Sequence, residues 1–360
     1  MKFQRKAPIL NLKKNAYPFQ QEAFDQIKDH EYFAIFHEQG LGKTKIAIDL
    51  TYYWLSNELV DSVLVVTKKS LIQNWQDELI IHGNLHPIIL GVDKAESLEN
   101  MFVPGFIYLT HFESVRNNFE AFKGFFKFRE VAIILDESTQ IKNPSSKTAK
   151  AFHEIANYSK KRIIMTGTPI SNRPYDIWSQ IYFLDFGERL GKSFKDFKED
   201  YDLDNSLSKS YSGQIIFKNA LNALKELISD CSVRETKQTA GIELPGKRYI
   251  VEYADFESQQ FILYSKLQKE LYATVMKEDK LVEENVEVIL KRLTRLVQVA
   301  SNPSLIDDSY SATACKINVL KKIINKATSE NSKIIIWTNF VENVEWLIKN
   351  IDIDRCIGIH

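Results

Sequence analysis

The chain has 360 residues, 44% of them hydrophobic, with 47 basic side chains against 47 acidic ones. That length accommodates two domains at ~150 residues each, and zero net charge excludes a polyanion-binding surface spread over the whole molecule, leaving only a local patch. Cys231, Cys315 and Cys356 are far apart with no C-x-x-C pair, which argues against a zinc site or disulfide framework and fits a reducing compartment.

The N-terminus, 1-MKFQRKAPIL-10, is basic but has no apolar h-region, so secretion is not expected. No apolar run approaches the ~18 residues of a membrane span, and the expectation is a soluble cytoplasmic protein. Tyr32–Phe36, Val63–Val66, Phe106–Leu109, Val131–Leu135 and Arg162–Met165 are short, β-branched or aromatic runs that read as buried strands. Helical patterns lie between them, as in Lys45–Asn57 and Ser70–Ile81. This alternation predicts an α/β fold with a parallel sheet covered by helices, its ligands at the carboxyl ends of the strands. From about Asp176 to Ser232 the strand signal fades, and 193-SFKDFKEDYDLDN-205 reads as a helical insertion with a solvated face. Beyond the turn signal 244-LPGK-247, a strand is predicted at Arg248–Tyr253 and a long helical region over Asp255–Ala300. In that region, 281-LVEENVEVILKRLTRLVQVA-300 has the spacing of an amphipathic packing helix. A last strand is expected at Lys333–Trp337 and a last helix at about Val341–Lys349.

The stretch 36-FHEQGLGKTKIAI-48 ends like a phosphate-binding loop but has His37 where the strict G-x-x-x-x-G-K-[ST] pattern has glycine. Such a loop turns backbone N–H groups toward an anion at a helix N-terminus, and glycines permit the required dihedrals. Lys43 would reach the β- and γ-phosphates of a nucleotide and the Thr44 hydroxyl would ligate Mg2+. The strand-like run before it and the helix after it supply the context the motif needs. About 90 residues on, the strand in 131-VAIILDESTQIKN-143 ends in Asp136 and Glu137. Asp136 suits the metal's hydration shell, and Glu137 suits a general base that orients and deprotonates water. Two carboxylates at a strand end are weak alone; paired with the upstream loop they are a strong signal of phosphoryl transfer.

These segments resemble the Swi/Snf-like ATPases of helicase superfamily two. The family's first motif, D-E-x-G-x-G-K-T, corresponds to 37-HEQGLGKT-44, so the absent glycine is expected of the family. The resemblance implies that Glu38, Gln39, Gly40, Leu41, Gly42, Lys43, Thr44 and Lys45 bind ATP, with Lys43 and Glu137 catalytic and Thr44 and Asp136 on Mg2+. Gln20, in 17-YPFQ-20, resembles the residue that reads adenine. In 63-VLVVTKKSLIQNWQDEL-79, Thr67, Lys68 and Lys69 would lie near a nucleic-acid backbone, and Trp75 is expected in the core. The element 107-IYLTHFESV-115 has His111 in place of an aromatic residue. The second motif, D-E-x-H-x-x-K-N, matches at Lys142 and Asn143, with Thr139 in place of the histidine that helps couple the phosphate to the neighbouring motif. That third motif is 165-MTGTPISN-172, whose Thr166, Gly167 and Thr168 would relay nucleotide state to a second lobe.

The family implies two RecA-like lobes. Here residues 1–235 are assigned to an N-terminal P-loop NTPase lobe with a helical insertion at about 176–232. Residues 236–360 are assigned to the start of a C-terminal lobe, interrupted at about 255–305. Nothing after Phe340 resembles the last motifs, and Arg355, the one arginine there, has the wrong context. The expectation is therefore an incomplete second lobe, finished by a further segment or a partner protein, and weak or slow ATP turnover by the chain alone. The resemblance implies an ATP-dependent translocase on double-stranded DNA that does not separate strands. Lys68, Lys69, Lys142 and Lys147 are candidates for sequence-independent backbone contacts, and each is equally consistent with an ordinary solvated surface. Two alternatives stand beside it: a nucleotide- and DNA-binding module without turnover, and the motor half of a phage- or restriction-type complex.

Overall fold

In the computed structural model, residues 10–91, 99–170, 173–201, 211–277, 280–281, 286–351 and 356–358 are described. The chain separates into two units, Met1–Pro245 and Gly246–His360. In the first unit the apolar runs form strands β1 (Tyr32–Ile35), β2 (Ser62–Thr67), β4 (Ile107–His111), β5 (Val131–Asp136) and β6 (Lys161–Met165). The two-residue strands β3 (Ile88–Ile89) and β7 (Ser232–Val233) are too short to carry a periodic signal. The seven lie in the order β3-β4-β2-β5-β6-β1-β7, with every pairing parallel.

Both faces of this sheet are covered, which is why its strands are apolar without alternation. Successive side chains still point opposite ways. Val131, Ile133 and Leu135 join one core with Phe112, Phe122, Phe152 and Phe183. Ala132 and Ile134 join the other with Ile46, Leu50, Trp54, Trp75 and Leu79. That second layer is built by α1 (Pro18–Ile27), α2 (Lys43–Ser56) and α3 (Ile72–His82). Pro18 sits in the first turn of α1, where a helix has no use for the missing N–H.

The segment predicted as a helical insertion forms helices Trp178–Asp185, Phe194–Tyr201 and Tyr211–Leu227. The first of these is not peripheral: Trp178, Ile181, Phe183 and Leu184 are core residues. Helix Phe194–Tyr201 buries Phe197 and leaves its charged face in solvent, as the sequence pattern requires.

In the second unit, helices Ser258–Val275 and Val286–Ser301 bracket a two-residue antiparallel pair, β8 (Met276–Lys277) and β9 (Lys280–Leu281). Gln260, fully buried, ties the unit together: it donates to the Val299 carbonyl at 2.8 Å and accepts from the Cys315 N–H at 3.0 Å. Helices Cys315–Ser329 and Val341–Asn350 close a small core of Ile317, Ile324 and Leu347. Two expected strands are absent: 248–253 and 333–337 have no strand assignment. Their β-forming side chains are instead exposed, Tyr253 at 89% and Trp337 at 89%. Strand propensity produces a strand only where a neighbour supplies the ladder hydrogen bonds, and no described residue pairs with either segment. Among the described residues no helix is long and apolar enough to cross a membrane.

Candidate nucleotide site

Four adjacent strands, β2-β5-β6-β1, bring the motifs to one edge of the sheet. In register, Val66 pairs with Leu135, Asp136 with Met165 and Met165 with Ile35. Thr67, Asp136, Thr166 and the 36–42 loop therefore leave the sheet side by side, at strand spacings of about 4.8 Å.

The backbone explains why His37 can stand at the start of the loop. The chain continues β1 there, with Phe36 N–H donating to the Val233 carbonyl and Glu38 N–H to the Glu235 carbonyl, both at 2.8 Å. The positive-φ residues of the loop are Gly40 (φ 84°) and Gly42 (φ 72°), not His37. Glycine is needed at those two positions only. His37 is fully buried, and burial pulls its imidazole pKa down to about 4; Lys43 adds to the shift and Glu235 opposes it.

Gly42 caps α2, whose first residues are Lys43 and Thr44. A Cβ on Gly42 would stand 2.2 Å from Gln20 Nε2. Gln20 is buried and its amide is engaged at both ends: Nε2 donates to the Leu41 carbonyl at 3.1 Å, and Oε1 accepts from Tyr17 N–H at 3.0 Å. Gln20 thus fastens α1 to the loop. The Lys43 ammonium donates to the carbonyls of His37 at 3.0 Å and Glu38 at 3.4 Å. Burial lowers the Lys43 pKa, while the charges of Glu137 and then Asp136 pull it back up. Gly167 lies against the loop as well, since a Cβ there would meet Gln39 Cγ at 2.8 Å. Thr166 is fully buried, and its Oγ1 accepts from Thr168 N–H at 3.2 Å. Thr168 is exposed; Ser171 and Asn172, the end of that motif, lie outside the described residues, as does Arg355.

Two residues of the ATP-binding stretch have other partners. Glu38 accepts from Lys237 N–H at 3.0 Å and pairs with its ammonium at 3.6 Å. Lys45 is buried in a short bidentate pair with Asp49 one turn along α2. Leu41 is in the core. A cleft of about 1020 Å³ opens beside the loop, lined by Tyr17, Gln20, Gly40, Gly42, Lys43 and Thr44 among others.

Asp136 is held from below. Its Oδ2 accepts from Trp75 Nε1 at 2.8 Å and from Thr67 Oγ1 at 3.2 Å. Trp75 is core, as expected, being 1% exposed; its indole N–H nonetheless orients the carboxylate, a role that only the need of a buried N–H for a partner could have signalled. Glu137 has φ 58° and ψ 53°, a left-handed conformation that costs a non-glycine residue about 1–2 kcal/mol. Such strain is retained where the surroundings over-determine it.

Of the lysines expected to meet nucleic acid, Lys68, Lys69 and Lys147 are exposed at the ends of strands or helices. Lys142 pairs at 3.4 Å with Asp176, which is buried. It therefore has a partner inside the fold.

The donor set fits a magnesium nucleotide. Two left-handed glycines shape a cradle at the N-terminus of a 14-residue helix, a cation and a hydroxyl follow, and a carboxylate is fixed by two donors across the sheet edge.

The chain was compared with known proteins. The DNA repair and recombination protein RAD54-like of Gallus gallus is 26% identical over 364 aligned residues, covering 86% of this chain and 47% of the relative. The DNA excision repair protein ERCC-6-like of Danio rerio is 34% identical over 172 residues, covering 46% of this chain and 12% of the relative. This chain therefore spans less than half the length of either. Among solved structures, the Sulfolobus solfataricus SWI2/SNF2 ATPase core in complex with dsDNA matches with a TM-score of 0.55 and 27% identity, over 95% of this chain and 70% of that one. The SNF2-related domain matches residues 30–305, and the chain belongs to that family.

Proposed function

We propose that this chain is the ATP-binding part of a motor that moves along double-stranded DNA, driven by hydrolysis of Mg-ATP. The observation that carries the reading is Lys43, held in the loop with the Asp136–Glu137 pair as its electrostatic neighbours. Phosphoryl transfer needs this division of labour between a cradle, a cation and a water-orienting base.

In this reading Gly40–Thr44 and the N-terminus of α2 bind the phosphates, and Lys43 donates to the β- and γ-phosphate oxygens. Thr44 and Asp136 hold Mg2+, which when bound neutralises developing phosphate charge. Glu137 orients a water and accepts its proton. Gln20 sets the position of Leu41 and lines the cleft where adenine would lie. Thr166, Gly167 and Thr168 sense the loop through the Gly167–Gln39 contact. Lys68, Lys69 and Lys147 would meet DNA phosphates without reading sequence. The double-stranded substrate is supported by the dsDNA present with the related archaeal core.

The test is steady-state phosphate release from Mg-ATP, with and without linear duplex DNA, beside Lys43→Ala. Release that rises with DNA and disappears in Lys43→Ala is the expected result; DNA-independent release that survives the substitution would refute it. A second reading, a module that binds nucleotide and DNA but turns over only with further polypeptide, is favoured by the unpaired, exposed segments 248–253 and 333–337. Nucleotide binding without release would select it.

A further inference from the structure

The resemblance implies a histidine that helps couple the phosphate to the neighbouring motif, and this chain has Thr139 there. The buried polar side chain of the Glu137–Ile141 turn is Ser138, which is fully inaccessible. Its Oγ donates to Gln180 Oε1 at 2.7 Å. Gln180, also fully buried, donates through Nε2 to the Pro169 carbonyl at 2.8 Å and the Asp176 carbonyl at 3.0 Å. Every polar atom of this amide therefore has a partner, and three segments meet on one side chain: the turn after β5, the turn after β6 and the start of helix Trp178–Asp185. The neighbouring Ser179 hydroxyl holds the Ile141 carbonyl of the same turn.

We infer that Ser138 and Gln180 are the positioning residues that lock the Glu137 turn to the Thr166–Pro169 turn, replacing the missing histidine one residue earlier in the chain. The inference rests on the ATPase reading above. Glu137 is in a left-handed conformation one residue before Ser138, so a pin at Ser138 fixes both the strained backbone and the direction of the carboxylate. Buried polar groups bonded at every atom specify one arrangement and penalise others, and Gln180 satisfies that condition. An apolar residue at 180 would fill the space without joining the turns.

The experiment compares wild type, Ser138→Ala, Gln180→Leu and the double variant, with thermal unfolding, Mg-ATP affinity by titration calorimetry and single-turnover hydrolysis all measured on the full chain. Each single variant should lose hydrolysis rate about tenfold, with Mg-ATP affinity within about twofold. The double variant removes the hydroxyl that Gln180→Leu orphans, while the Pro169 and Asp176 carbonyls still lack their donor, so it should regain part of the unfolding temperature lost in Gln180→Leu without recovering rate. A merely structural role predicts the opposite: rate returns with stability in the double variant, and that result, or wild-type rate in both single variants, overturns the inference. Loss of affinity in every variant would also overturn it, because the defect would then lie in the loop. If wild type itself binds no Mg-ATP, or hydrolysis survives Lys43→Ala, the ATPase reading fails and this inference with it.

Discussion

Replacing Gly42 with alanine tests the architecture of the phosphate loop most directly. The residue has φ 72°, so an alanine there carries the left-handed penalty of about 1–2 kcal/mol. Its Cβ would also stand 2.2 Å from Gln20 Nε2. That atom ends a flexible side chain and can move, but moving it breaks the bond to Leu41 and loosens the one from Tyr17. Two such bonds contribute about 1 kcal/mol each. The sum is roughly 3 kcal/mol, which lowers the unfolding temperature of a unit this size by about 6–12 °C. Combining Gly42→Ala with Gln20→Ala separates the two causes: the clash is relieved, so in the Gln20→Ala background Gly42→Ala should cost only the backbone term, and the lost hydrogen bonds appear as coupling between the sites. The assay is differential scanning calorimetry of the four proteins, with ATP binding alongside. A Gly42→Ala protein that melts with wild type, or effects of the two substitutions that simply add, would refute the reasoning.

Trp75→Phe keeps the buried ring and removes the donor to Asp136. The Mg2+ concentration needed for half-maximal nucleotide binding should rise about tenfold, the scale of one hydrogen bond to a charged group, while binding in EDTA stays constant. His37 gives a pH dependence whose sign is fixed. Its folded pKa, about 4, lies below the ordinary value of 6.5, so the unfolded chain binds the extra proton between those values. Its contribution is complete above pH 6.5 and is lost as pH falls toward 4, by at most ~1.4 kcal/mol per pH unit. Urea midpoints of wild type and His37→Gln should therefore converge as the buffer is taken from pH 7 to pH 5. Removing Lys68 and Lys69 together should lower the salt slope of duplex-DNA binding by about 2. Lys142→Ala should leave that slope unchanged and lower the melting temperature instead.

The sheet was legible because five of its strands are continuous apolar runs, and the loop because Gly40, Gly42, Lys43 and Thr44 stand close together in sequence. The supports of the site were not. Trp75 on α3 and Asp136 at the end of β5 are bonded 61 residues apart in sequence, and Ser138 and Gln180 are bonded 42 apart; no local pattern encodes such pairs. The pairing of Lys142 with Asp176, 34 residues on, is equally invisible in the sequence. The strands expected at 248–253 and 333–337 failed because propensity describes a residue's fitness for a ladder and not the presence of its neighbour.

The position of β1 has a consequence for how the protein is made. Its pairing partner β7 and the residues that hold Glu38, at 235 and 237, emerge from the ribosome about 200 residues after β1 itself, roughly 10–40 s at ordinary synthesis rates. Until then the strand that carries the phosphate loop has an open edge, and the Phe36 and Glu38 N–H groups lack the carbonyls that anchor them. Nucleotide binding is thus among the last properties the first unit acquires, and a nascent chain halted before residue 232 would have most of its sheet but an unfastened loop.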